Sequence, residues 1–181
     1  VDKVEPLPVE AWAKKLRVPF IPQADTGKPI SGSTCSPTSV TMVMAYRGVN
    51  RPLLENAMEV WDPEYGLFGN WNRAAARAGS FGLNASVRRF RTWDAVKAEI
   101  AKGNPVIASI RFGKGEFPSN VIGKTAGHLT VVIGFTPDGD PIMNDPASAK
   151  EGEGAVYKKD EMARAWFDKG GVGYLITKDL P

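Results

Sequence analysis

Two side chains that occur once each carry the chemistry open to this chain: Cys35, in "SGSTCSPTSV", and His128, in "TAGHLTVVIGF". A thiol attacks as its thiolate, and imidazole is the side chain best matched near neutral pH to remove its proton. Free cysteine is more often a packing residue, and a lone histidine is more often structural, so context has to separate the readings. Cys35 lies among small polar residues, outside the apolar run that follows it, and just before Pro37. Proline is favoured at the first position of a helix, so the thiol falls at a helix N-terminus. Unpaired N–H groups and the positive end of the helix dipole stabilise a thiolate there. His128 opens an apolar strand after a flexible "KTAG" lead-in. That position presents a ring at a cleft edge while the strand behind it is buried. As the one imidazole in the chain, it is the candidate base.

The base needs a partner that orients it. Segments 128–135 and 141–145 read as a hairpin around Asp138-Gly139. With those two residues at the tip, Val132 faces Asp145 and Ile133 faces Asn144, so Asp145 shares the His128 face and Asn144 lies on the other. The parity is right and the reach is short, because Val132 is about 13 Å along the strand from His128 at ~3.3 Å per residue. A pair of bulges, a wider loop or strong twist has to close that gap, and a single bulge selects Asn144 instead. Parity favours Asp145, although "DPAS" reads equally as the start of a turn.

The elements that must position these groups read as an α+β domain. At 181 residues the chain is long enough for one domain with a buried core. Its 43% hydrophobic and 24% charged content is that of a globular protein. The net charge of +3 is spread out, apart from Arg88, Arg89 and Arg91, so no nucleic-acid footprint is expected. No apolar run reaches the ~18 residues of a membrane span. One cysteine excludes an internal disulfide and a multi-cysteine metal site. A short strand is expected at 16–20. A helix follows from Pro37 to Arg47, apolar nearly all round and so buried, with Gly48 as its stop. Further helices fit 52–60, 70–78 and 92–102, the last capped by Thr92. Strands at 105–112, 128–135 and 141–145, a helix at 160–169 and a strand at 173–177 complete a helical first half beside a mostly antiparallel sheet. Residues 1–14, "VDKVEPLPVEAWAK", begin without Met and carry a proline-rich extended stretch. They are expected to be a linker or processed segment before a domain spanning 15–181, with a preceding domain or removed leader. Trp71 and Trp166 read as packing.

"VPFIPQ", "STCSPTSVTMVMAYRG", "GNWNRAAARAGSFGLNA", "AEIAKGNPVIASI" and "GHLTVVIGFTPDGDPIMNDPA" together resemble the C39-like branch of the papain-like cysteine peptidases, over about Arg17 to Leu175. The resemblance implies the papain-like fold, with Cys35 as nucleophile, His128 as general base, Asp145 orienting the histidine and Gln23 helping to form the oxyanion hole. The Gln23 amide is a suitable donor for such a hole. It implies hydrolysis of a peptide or related amide bond through a thioester, with a peptide or protein as partner, a monomeric state and no metal or organic cofactor. Acyl transfer by the same residues and an inactive peptide-binding module are the alternatives. The resemblance and the missing initiator Met favour a secreted or cell-envelope location. Where the family carries glycine beside the cysteine, this chain has Thr34 and Ser36. Both are expected to add bulk where a substrate backbone passes and to slow turnover.

Overall fold

A computed structural model of the chain describes residues 4–178. In chain order the elements are α1 (Val9–Trp12), α2 (Cys35–Tyr46), α3 (Leu53–Glu59), α4 (Trp71–Gly79), β1 (Asn84–Arg89), α5 (Trp93–Ala101), β2 (Val106–Phe112), β3 (Thr125–Phe135), β4 (Pro141–Asn144), β5 (Glu153–Val156), α6 (Lys159–Trp166) and β6 (Val172–Thr177). The strands form one sheet in the order β1-β6-β2-β3-β4-β5, and each neighbouring pair is antiparallel. No helix among the described residues is long and apolar enough to cross a membrane.

Successive residues of a strand point to opposite faces, and here both faces are buried. Ile107, Val131, Ile133, Tyr174 and Ile176 pack with Val40, Val43, Ala74 and Ala78 of α2 and α4. Their neighbours Val106, Ala108, Val132 and Leu175 pack instead with Trp12, Val96, Ile100, Met162 and Trp166 of α1, α5 and α6. That double burial is why β3 reads as an unbroken apolar run rather than an alternation. Helix α2 is apolar on nearly every side because the sheet, α3 and α4 surround it.

Several expectations need correction. The first half is not purely helical. β1 uses "NASVRR", whose exposed edge position leaves little apolar signal. β5 is likewise a short, half-exposed edge strand. Residues 16–20 form no strand, since Pro19 removes a backbone donor and pairing is confined to a bridge between Lys15 and Gly134. Within the stretch 1–14 expected to be a linker, residues 1–3 lie outside the described residues, Val9–Trp12 is helical and Trp12 is buried against Phe135. The helix expected at 160–169 ends at Trp166 and tightens into a 3-10 turn. Thr92 caps α5 as anticipated, accepting from the Ala95 N–H.

Around Gly134 the chain crosses β3 closely. Leu16 N–H donates to the Ile133 carbonyl at 2.7 Å and Phe135 N–H to the Lys14 carbonyl at 3.0 Å. A Cβ on Gly134 would run into the Lys14 carbonyl and the Lys15 backbone. Gly134→Ala is therefore expected to lower stability by about 1–3 kcal/mol, as overpacking does, measured by urea unfolding. An unchanged midpoint would show that this segment is not docked.

Candidate active site

Cys35 is the first residue of α2, and Pro37 is the third rather than the first. The first backbone bond of the helix runs from Thr38 N–H to the Thr34 carbonyl at 3.0 Å. The N–H groups of Cys35 and Ser36 precede that bond and Pro37 has none, so the helix terminus points free donors around the sulfur. Thr34 and Ser36 do not crowd this space. Both are fully buried: the Thr34 hydroxyl lies 2.9 Å from that of Thr26, and the Ser36 hydroxyl lies 3.2 Å from that of Tyr174. The bulk expected beside the thiol is turned into the protein.

β3 begins at Thr125, three residues before His128, because Thr125 already pairs with Phe112. The "KTAG" stretch is therefore partly strand, not a flexible lead-in. β4 ends at Asn144, opposite Val131. Beyond that point β3 has a free edge, where the Leu129 backbone reaches the Cys35 sulfur and the Leu129 carbonyl accepts from the Ser39 hydroxyl at 3.1 Å.

The hairpin register brings Asp145, and not Asn144, to His128. Phe135 pairs with Pro141, so the tip is wider than two residues, and a bulge at Ile133 then places Val132 opposite Met143. Each departure shifts the pairing by one residue in the same direction. Together they preserve parity and bring Asp145 level with Thr130, two residues from His128 instead of four. The His128 Nε2 lies 2.7 Å from the Asp145 Oδ1. Asn144 is turned away: its side-chain amide donates to the Val18 carbonyl at 3.1 Å and accepts from the Gly154 N–H at 3.2 Å. It ties the N-terminal segment to the sheet.

One residue escaped sequence reasoning. The buried Tyr157 hydroxyl donates to the Asp145 Oδ2 at 2.5 Å, while Ala147 N–H donates to Oδ1 at 3.0 Å. The carboxylate thus has partners on both oxygens. Only the alternation of "GAVY" could have flagged Tyr157, and the strand it follows was itself not evident.

The electrostatics are those of a buried ionic row. Burial by itself pushes the Cys35 thiol up, but the hydrogen bond and charge of His128 outweigh it and leave the thiol below its ordinary range. Burial likewise disfavours imidazolium, yet the charge and hydrogen bond of Asp145, with the adjoining sulfur, push His128 up to about 10. Asp145 is held below the usual carboxylate range, because the His128 charge, its hydrogen bond and that of Tyr157 exceed the cost of burial. Tyr157 is pushed above the ordinary phenol range by burial and by the Asp145 charge, so it stays a donor. With Nε2 on Asp145, Nδ1 is the ring nitrogen left for the sulfur. Both shifts favour the charged forms, a thiolate beside an imidazolium.

Gln23 opens a 3-10 turn. Its backbone carbonyl accepts from Thr26 at 2.7 Å and from Thr34, the neighbour of Cys35, at 3.5 Å, and its N–H donates to the Pro146 carbonyl at 2.9 Å. The loop is thereby fastened to both the cysteine and the Asp145 turn. One hydrogen of its amide goes to the Ser31 carbonyl at 2.8 Å, and the second is left over. A cleft of ≈ 780 Å³ opens on Cys35 and is walled by Gly66, Phe68, Trp71, Gly127 and Leu129 among others. Trp166 is core as expected, whereas Trp71 is 43% exposed and lines the cleft.

A family model described as "Peptidase_C39 like family" matches residues 15–174. No curated protein matches the chain in sequence. Among solved structures, a putative C39-like peptidase from Bacillus anthracis is similar at 17% identity and a TM-score of 0.66, over 93% of this chain and 100% of that one. The peptidase domain of Streptococcus ComA, a bifunctional ABC transporter involved in quorum sensing, is similar at 14% identity and 0.62, over 90% and 100%. A double glycine motif protease from an AMS/PCAT transporter, solved with a leader peptide, is similar at 20% identity and 0.58, over 90% and 93%. These likenesses place the chain in the papain-like fold.

Two outcomes are expected of the thiol. Iodoacetamide should label Cys35 at mildly acidic pH, and His128→Ala should move the rate profile toward an ordinary thiol near pKa ~8.5. Identical profiles in the two proteins would remove the ion pair. Tyr157→Phe leaves one Asp145 oxygen without its donor. It should lower kcat about 10- to 100-fold, as loss of an orienting partner does, and shift the acid limb of the pH–rate profile upward as Asp145 protonates more easily. An unmoved acid limb would reduce Tyr157 to packing.

Proposed function

This chain belongs to the peptidase C39-like family, and from that premise we propose that it hydrolyses peptide or related amide bonds with Cys35, His128 and Asp145 as its catalytic row. The observation that carries the reading is the continuous chain of contacts from Tyr157 through Asp145 to His128, ending at a thiol on a helix N-terminus in an open cleft. His128 Nδ1 holds the proton that Cys35 gives up. The thiolate sulfur attacks the substrate carbonyl carbon, and the C=O electron pair moves onto oxygen. The Cys35 backbone N–H and the free amide hydrogen of Gln23 are the donors for that oxyanion. As the tetrahedral adduct collapses, the C–N bond breaks and His128 protonates the departing amine. Water, deprotonated by His128, then attacks the thioester; the acid leaves and the thiol is restored. Asp145 keeps the imidazole in one tautomer and orientation throughout.

The buried side chains of Thr34 and Ser36 remove the reason to expect slow turnover from their bulk. A diverse peptide library read by mass spectrometry should show cleavage by the wild type and none by Cys35→Ala. Asp145→Ala should lower the rate by about 10²–10⁴ while the thiol stays alkylatable, since the base remains but is poorly held. Gln23→Ala should lower the chemical step by about 10²–10³ with little change in binding. Saturable binding without cleavage would point to a binding module. Joined products on adding an amine would point to acyl transfer.

A further inference from the structure

The cleft beside Cys35 is uneven in charge. Arg89, Arg111 and Lys169 line it, against one carboxylate, Asp168. All three cations are exposed, and none forms an ion pair among the described residues. Arg89 donates to the Gly170 carbonyl at 3.1 Å, which holds its guanidinium at the rim. Glu116 lines an adjoining recess with Arg111 and Lys169, but its carboxylate is turned to the Gly113 N–H at 2.6 Å.

The cleft also has two different ends. Ser33, Gly66 and Phe68 continue from it into a recess lined by Ile30, Met58 and Trp61. Arg111, Ala126 and Lys169 continue into the separate recess that holds Glu116. One end is therefore apolar and aromatic and the other cationic. Unpaired cations around a concave surface focus a positive potential into it, and a guanidinium fork matches a carboxylate in shape.

Resting on the peptidase reading, we propose that the cleft selects peptides that place a carboxylate at the Arg111–Lys169 end and an apolar side chain at the Phe68 end. The carboxylate is an Asp or Glu side chain or a free C-terminus; the chemistry that binds it is the same. Neither Arg111 nor Lys169 forms a hydrogen bond or ion pair with Cys35, His128 or Asp145 among the described residues, so their role is in selection rather than in bond cleavage.

Two small probes test the charge without requiring turnover. Iodoacetate carries a carboxylate and iodoacetamide does not. At low salt, the ratio of their rates on Cys35 should fall about tenfold in the Arg111→Gln/Lys169→Gln protein, with the iodoacetamide rate unchanged, and 0.5 M salt should erase most of the wild-type excess. A ratio that the double substitution leaves unmoved overturns the proposal, since His128 alone would then account for any preference. The peptide arm uses Cys35→Ala and fluorescein-labelled octapeptides in which one Glu is moved through a Gln/Phe background, each with a free or amidated C-terminus. One Glu position, or the free C-terminus, should bind about tenfold tighter than the neutral peptide, and the double substitution should abolish that gain. Which of the two gains appears identifies the source of the carboxylate. Equal affinities across the set overturn the proposal. A carboxylate gain in binding, with no cleavage of the set by the wild type, upholds the site and defeats the peptidase reading instead.

Discussion

A carboxylate buried at 0% exposure beside an imidazole at 4% sets the terms for the rest of this structure. An uncompensated charge in such a place is costly, so a buried ion pair persists only when its remaining hydrogen-bonding capacity is filled. Asp145 meets that condition through His128 and Ala147 on one oxygen and Tyr157 on the other. The sulfur meets it through His128, Leu129 and the free end of α2. Removing any one donor leaves a charge short of a partner. The site is therefore a single electrostatic unit supplied by α2, β3 and the turns after β4 and β5.

The fold delivers these groups through small departures from regularity. The wide tip and the bulge at Ile133 carry Asp145 two residues along β3 toward His128. The end of β4 at Asn144 leaves a free edge of β3 beside the thiol. Gly152 fits tightly after that strand, where its N–H donates to the Ser148 carbonyl and a Cβ would meet the Asp145 and Ser148 carbonyls. Asn144, adjacent to the carboxylate, serves a different purpose by clasping Val18 and Gly154 across the sheet. Neighbouring residues with similar shapes thus take opposite roles because strand parity sends them to opposite faces.

Much of this was legible in the sequence for identifiable reasons. The single cysteine before Pro37 marked a helix N-terminus, and α2 begins at that cysteine. The apolar run after His128 marked a strand buried on both faces. Parity selected Asp145 over Asn144, but it could not supply the two register shifts, because neither the bulge nor the wider tip has a residue signature beyond Gly134 and "TPDGD". Edge strands β1 and β5 were missed, since half-exposed strands of charged and small residues show little alternation. Missing β5 also hid Tyr157, whose part in the site depends on where that strand ends. The inward turn of Thr34 and Ser36 was not legible either, because it is set by Thr26 and Tyr174, distant in the chain.

With its pKa pushed up to about 10 by Asp145 and the Cys35 sulfur, His128 is expected to be an imidazolium at neutral pH. Because the chain has one histidine, ring-nitrogen NMR shifts report on it alone. Titration from pH 5 to 11 should show both ring nitrogens protonated through neutral pH and deprotonation only as the pH rises toward about 10. In Asp145→Asn the charge that raises the pKa is gone, and the transition should move down toward the ordinary value of about 6.5. A wild-type ring that is already neutral at pH 7, titrating as a free histidine does, would show that Asp145 does not hold it charged.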